Sequence, residues 1–268
     1  MMRKIVFYTL LVISAVVMFF PILYAVSISF MPPNEVMNRQ MLPGNPTLDN
    51  YRDVLASVPI FHYLRNSVIV ASTVTIGMLT VSALAAFIFA FVPFRGRQVV
   101  FLIFISTLLI PWEATMIPNF LTILNLGWMN SYLALTIPFF ALAFGTFLLR
   151  QHFKTIPLEL YEAAQVEGLS KFQFFYKVVI PYAKTSFVTL GIYGFLTTWN
   201  MYLWPLLVTT NDTVRTVQIG LRRLQADEVA TNWGMVMAGV VIVIIPTLLL
   251  LMIGQKQLQK GLSKGALK

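Results

Sequence analysis

The chain has 268 residues, 58% of them hydrophobic and 11% charged, with a formal net charge of +9. A charged share under half that of an ordinary soluble domain excludes that class. The absence of cysteine excludes a disulfide framework, and two widely separated histidines, His62 and His152, give no metal-ligand cluster. The basic surplus raises nucleic-acid binding, a reading that depends on where the basic residues lie.

Stretches free of Asp, Glu, Lys and Arg occupy 5–30, 66–94, 98–112, 114–149, 185–211 and 229–255. Uncharged apolar runs of this length read as bilayer-spanning helices. The first follows Arg3 and Lys4 as a secretory signal would. Its apolar part exceeds the roughly 7–15 residues of a signal core and lacks a convincing cleavage site, so it reads as a retained span. The fourth is too long for one crossing. Its first part holds Pro118, Asn119, Asn125, Gly127 and Asn130 and is expected to lie along the outer surface, with Ile117, Phe120, Leu121 and Leu124 on one apolar face. The expectation is an all-α polytopic membrane protein, a single domain over 1–268, with six transmembrane helices at about 5–30, 66–92, 98–118, 131–149, 185–208 and 233–255.

Charge tests this layout. The N-terminus, 93–98, 150–184 and the tail from Lys256 carry 13 basic and 3 acidic residues, whereas 31–65, 113–130 and 209–233 carry 6 and 7. The positive-inside bias puts the first set, and with it both termini, in the cytoplasm. Membrane orientation thus accounts for the basic surplus, and nucleic-acid binding loses its support. Small residues recur at helix-packing spacing, Ser82, Ala86 and Ala90 in the second span and Gly234 and Ala238 in the sixth. Internal bundle packing is preferred over a dedicated dimer contact.

Catalysis finds no foothold. The chain has no G-x-x-x-x-G-K-[ST], H-E-x-x-H or G-x-S-x-G, so no enzyme, cofactor or metal site is expected. The spans are almost free of the ionisable groups on which an ion-coupled carrier relies. Glu113, near the outer end of the third span, is the exception and reads first as a wet interfacial carboxylate.

The long connection 150–184 is the most informative region. Pro157, an acidic first turn at Glu159 and Gly168 as a left-handed cap delimit one short helix. Ser170 and Gln173 form a capping box for a second, which Pro181 is expected to end. A helix, a tight turn and a helix over 155–181 either dock a partner or rest in the headgroups, with Leu158, Leu160, Tyr161 and Ala164 as the apolar side. The pattern alone leaves both readings open.

Glu162-Ala163-Ala164, three residues, Gly168, nine residues and Val178-Val179-Ile180-Pro181 resemble the E-A-A-x3-G-x9-I-x-L-P signature of permease subunits of ATP-binding-cassette importers. Valine stands for the first isoleucine and isoleucine for leucine, both apolar exchanges. The likeness extends over nearly the whole chain. The I-P-W-E-A-T-M-I-P run at 110–118, the F-x3-P-x-E-L-x-E-A-A approach from Phe153 and W-N-x-Y-L-W-P-L at 199–206 look like the carbohydrate-uptake branch, most like the smaller permease of sugar or glycerol 3-phosphate importers.

The resemblance implies a bacterial-type inner membrane and a second, dissimilar permease. It further implies two ATP-binding cassette subunits and an extracytoplasmic solute-binding protein. On this likeness Glu162 anchors the ATPase, Ala163 and Ala164 permit close helix contact, Gly168 makes the turn, and Ile180 and Pro181 complete the coupling signature.

The solute route is less defined. Trp199, Asn200 and Tyr202, with Glu113, are its candidates. A membrane-surface aromatic belt is the preferred account of Tyr202 and Trp204, while Asn200 is expected to face the bundle interior. An ion-driven carrier and a scaffold for a cytoplasmic enzyme are the competing classes.

Overall fold

The computed structural model describes residues 2–225 and 232–266, with side chains over 3–225 and 232–255. Val229, where the last uncharged stretch begins, and the basic side chains from Lys256 onward lie outside the described residues. Every regular element among those described is helical. In chain order they begin α1 (Met2–Ser29), α2 (Pro33–Met37), α3 (Asp49–Ser57), α4 (Ile60–Phe91), α5 (Arg97–Ser106), α6 (Trp112–Asn125), α7 (Tyr132–Thr136) and α8 (Ala143–Phe153). There follow α9 (Leu158–Val166), α10 (Lys171–Phe174), α11 (Ile180–Tyr182), α12 (Lys184–Trp199), α13 (Leu203–Val208), α14 (Val217–Arg223) and α15 (Trp233–Ala266).

Three helices are long and apolar enough to cross a bilayer: Arg3–Ser29, Ile60–Phe91 and Trp233–Gln255. Three bent pairs also qualify, each pair taken together, giving up to six crossings. The third expected span, 98–118, is therefore not one straight helix. After the 3₁₀ turn Thr107–Leu109 the chain bends by 97° into α6. Ile110 is extended at φ −91°, ψ 113°, because the ring of Pro111 disfavours the helical region for the residue before it. The expected fourth span bends by 43° between Tyr132–Phe139 and Ala143–Phe153. The fifth, expected over 185–208, is broken at 200–202, between α12 and α13.

The chain forms two compact units, one from the N-terminus to Leu64 with Thr216–Thr247, the other from Arg65–Arg215 with the residues after Thr247. In the first, buried Asn50 donates to the carbonyls of Ser29 and Met31 at 3.0 and 2.8 Å, which the end of α1 leaves without helical partners. Buried Glu35 accepts the backbone N–H groups of Gly44 and Asn45, both at 2.9 Å, and so folds the loop after α2 around one carboxylate. A Cβ on Gly234 would stand 2.5 Å from Asn50 Nδ2, so this helix face requires glycine.

Apolar cores form among the described residues of the second unit. One gathers Met78, Phe87, Leu149, Phe153, Phe174 and Leu190; a second gathers Val70, Val74, Ile123, Leu135, Trp204 and Val208. The small-residue row of α4 serves internal packing, as expected. Ser82 and Ala86 are fully buried, and a Cβ on Gly145 of α8 would lie 2.6 Å from Ser82 Oγ.

The surface helix expected after the third span is α6. Ile117, Leu121 and Leu124 are on its exposed face, but Phe120 is not. It shares with Trp112, Met116 and Ile123 the inward row at helical spacing that packs the second core.

Candidate functional site

The connection between α8 and α12 builds its site from local caps. Pro157, at φ −55° and ψ 137°, precedes the first helical residue of α9 and supplies a preset backbone angle. At the other end Gly168 takes φ +74°, Leu169 N–H reaches Ala164 O at 2.9 Å and Gly168 N–H reaches Gln165 O at 3.0 Å. These two bonds satisfy carbonyls that the end of α9 leaves open and reverse the chain within three residues. Ser170 then accepts Gln173 N–H at 3.2 Å, while Gln173 Oε1 accepts Ser170 N–H at 2.8 Å, the reciprocal cap expected for α10.

The second helix departs from expectation at its end. It does not stop at Pro181 but runs through it to Tyr182. Proline has no N–H to give to Lys177. The chain answers with a widened π turn over Phe175–Val179, in which Ile180 N–H reaches back five residues to Phe175 O. The axis then bends by 78° into α12. Tyr182 Oη donates at 3.4 Å to Thr155 O, closing the segment near its start.

Rings anchor one face of the segment. Tyr161 lies 5.0 Å from Phe174 and 5.7 Å from Phe91 at the end of α4, Phe91 is 5.2 Å from Phe174, and Phe87 is 5.1 Å from Phe175. The two edge-to-face pairs among them, Tyr161–Phe174 and Phe91–Phe174, add about 0.5–1.5 kcal/mol each beyond area burial. Tyr161 and buried Ala164 thus pack on the bundle, so of the expected headgroup-facing set only Leu158 and Leu160 remain exposed. Ala164 is likewise withdrawn from the outer surface, and Ala163 alone of the alanine pair is presented. Glu159, Glu162, Ala163 and Val166 share the opposite face at i, i+3, i+4 and i+7, all exposed, with Val166 at 89%. Glu162 has no ion-pair partner among the described residues. Ile180 is half-buried and Pro181 exposed.

A second arrangement forms where helices break. Pro138 removes the N–H that would have bonded Ala134 O, and Trp204 Nε1–H takes that carbonyl at 2.9 Å. Trp204 is 1% exposed and packs edge-on to Trp112 at 5.6 Å and to Phe139 at 6.1 Å. This corrects the surface belt expected of Trp204: the ring is a core strut whose polar atom repairs a broken helix. Pro205 sits in the first turn of α13, where its missing N–H costs least, and this favours a new helix over continuation of α12.

The breaks near Pro111, Pro138 and Asn200 supply Trp112, Pro138, Phe139, Leu142, Thr198 and Met201 to the wall of a cavity of about 150 Å³. Irregular backbone at membrane depth is tolerated where it lines such a space. Hydropathy reading missed this cavity; the prolines within uncharged stretches were its available signal.

None of Trp199, Asn200, Tyr202 and Glu113 lines it. Trp199 is buried, its ring 5.8 Å from that of Phe195 and nearly parallel. Tyr202 is half-buried and Glu113 exposed in the first turn of α6. Asn200 is exposed as well, against the expectation that it faces the interior. Its Nδ2 donates at 2.8 Å to Leu196 O, so the end of α12 satisfies that half of the amide locally.

Residues 79–264 match the model of the family described as binding-protein-dependent transport system inner membrane component. The sn-glycerol-3-phosphate transport system permease protein UgpE of Brucella suis biovar 1 is 35% identical over 267 residues, covering 94% of this chain and 93% of that protein. Its counterpart in Salmonella typhi is 35% identical over 264 residues, covering 95% and 94%.

Among solved structures, a chain of a bacterial ABC transporter involved in the import of the acidic polysaccharide alginate superposes with a TM-score of 0.86 at 26% identity, over 95% of this chain and 96% of that one. A chain of a bacterial alginate ABC transporter in complex with alginate pentasaccharide-bound periplasmic protein shares the fold at a TM-score of 0.66 and 16% identity, over 94% and 93%. The chain therefore belongs to the binding-protein-dependent inner membrane component family, as a multi-pass permease of an ATP-binding-cassette importer rather than an enzyme.

Proposed function

We propose that this chain is the smaller of two dissimilar permeases in an importer with two ATPase subunits and an extracytoplasmic solute-binding protein, and that 155–181 is its joint to one ATPase. The observation that carries this reading is the two-sided build of α9. Tyr161 and Ala164 fix one face to the bundle by packed rings, while Leu158, Glu162 and Val166 stand exposed at i, i+4 and i+8. Burying a side chain such as Val166 against a partner is worth about 1.5–3 kcal/mol, and a charge-assisted hydrogen bond from Glu162 about as much. Glu162 anchors the ATPase, Ala163 allows close approach, Gly168 sets the turn, and Ile180 with Pro181 steers the segment into α12. In this reading the chain crosses the membrane six times with both termini in the cytoplasm.

The imported solute is of carbohydrate type: a sugar, an oligosaccharide or glycerol 3-phosphate. Relatives named for glycerol 3-phosphate and alginate transport support that class. Asn200, with its amide oxygen open, Tyr202 and Glu113 offer polar groups along the path, next to buried Trp199 at the end of α12. The uncharged stretches hold no Lys or Arg to draw an anion, so an anionic solute depends on the paired permease or on helix N-termini for positive potential.

Reconstitution of the full importer in proteoliposomes tests the class. Uptake is expected to require ATP on the ATPase side together with the binding protein, and to survive a protonophore. Uptake that continues without ATP and collapses with the ion gradient would mark a secondary carrier; assembly without any uptake would mark a scaffold.

A further inference from the structure

The end of α4 collects positive charge that no carboxylate balances. Arg150 of α8 is 3% exposed; its Nε–H donates at 3.2 Å to Phe89 O and its guanidinium carbon lies 3.6 Å over the ring of Phe101. Its two Nη groups have no hydrogen-bond partner among the described residues. Arg97, the first residue of α5, reaches Ala90 O and Val92 O at 3.4 and 3.5 Å. The two guanidinia therefore converge on the last turn of α4.

Lys154 stands one turn beyond Arg150, and its ammonium is held below its ordinary value by burial and by the charges of Arg150 and Arg97. Arg95 is exposed on the intervening turn. The ion pairs among the described residues, Arg52–Asp49 and Arg215–Asp212, involve none of these four. A helix C-terminus offers only about half a negative charge against them.

Two further features adjoin this cluster. The N-cap of α5, Gly96, is left-handed at φ +79° and supplies no side-chain cap; Arg97 N–H is taken by Phe94 O at 3.3 Å, and the N–H groups of Gln98 and Val99 have no partner within the helix. Beyond that turn α5 exposes Val99, Val100, Leu102 and Ile103 while burying Phe101. Positive charge and open N–H groups at one end of a helix, with an apolar strip running from them, complement an anionic phosphodiester carrying acyl chains.

We propose that the end of α4 and the start of α5 form a site for one anionic phospholipid, its phosphate held by Arg95, Arg97, Arg150 and Lys154 and its acyl chains lying along Val99, Val100, Leu102 and Ile103. Arg97, Arg150 and Lys154, which repel one another when the site is empty, become a matched set with exposed Arg95 when it is filled, so the lipid also ties α5 and α8 to the end of α4.

The test uses the purified importer complex. Native mass spectrometry in mixed phosphatidylglycerol and phosphatidylcholine is expected to show phosphatidylglycerol retained preferentially. The preference should fall by about fivefold for each cation removed across Arg95→Gln, Arg97→Gln and Lys154→Gln. Arg150 is left in place because its packing supports the fold. An unchanged preference in the triple variant would overturn the site. So would loss of the ATPase subunit with the lipid preference intact, which would give these cations to the protein partner. A photoactivatable phosphatidylglycerol on the wild-type complex tests the same claim without mutation. Labelling should fall on 97–106, and labelling confined to other segments would contradict it.

Discussion

Gly168 holds its backbone at φ +74°, and a Cβ there would meet nothing within 4 Å. Gly168→Ala therefore probes conformation alone, at a cost of about 1–2 kcal/mol for forcing an L-residue into the left-handed region. The expected result is normal membrane insertion with ATPase activity uncoupled from uptake, read as ATP hydrolysed per solute imported; unchanged coupling would mean that the turn is not part of the joint.

Glu162→Ala acts on the partner side. Loss of a charge-assisted contact of about 1.5–3 kcal/mol should weaken ATPase retention by about ten- to a hundredfold. Co-purification of the ATPase at graded salt measures this, and full retention would remove Glu162 from the contact. Trp204→Phe keeps the apolar ring but leaves Ala134 O without its 2.9 Å donor. It should lower stability by about 1–3 kcal/mol, measured by thermal unfolding of the complex. Tyr202, half-buried, should tolerate phenylalanine with a smaller loss.

Among helices, the approach of α4 and α8 is set by glycine where the neighbour cannot yield. At Gly145 a Cβ would meet Ser82 Oγ at 2.6 Å, with Ser82 Cβ and a Leu190 methyl at 3.2 Å, whereas at Gly194 the nearest atom, 2.5 Å away, is the flexible end of Met78. Gly145→Ala should destabilise by about 1–3 kcal/mol, more than Gly194→Ala, in parallel thermal unfolding. The reverse order would contradict the packing described.

The elements differ in how legible they were. The caps of the coupling segment could be read because each rests on residues within four positions: Pro157 and Gly168 around α9, Ser170 with Gln173 before α10. The breaks in α5–α6, α7–α8 and α12–α13 were obscured because hydropathy measures the length of an apolar stretch and not whether its backbone bonds close. Pro138 and Pro205 carried that information. The face assignments of Phe120 and Ala164 were decided by packing against α13 and α4, which no local pattern reports.

For the whole molecule, composition was enough to give the class, since a chain this apolar has no soluble solution, and the spacing of Glu162, Gly168 and Pro181 gave the family. The aromatic residues misled because tryptophan serves a membrane surface and a bundle core equally well; burial of Trp204 and its bond to Ala134 decide for the core.

The natural absence of cysteine makes topology directly measurable. With Arg52→Cys, a membrane-impermeant maleimide should label intact cells from outside. With Lys171→Cys it should label only after the membrane is opened. Labelling of Lys171→Cys in intact cells would invert the orientation. The most direct test of the joint itself is a single cysteine, Ala163→Cys, in the assembled importer with cysteines scanned along the ATPase surface. Cross-linking to the ATPase, with a yield that changes as ATP binds, is the predicted result; a segment that never cross-links to the ATPase in any nucleotide state would contradict the account.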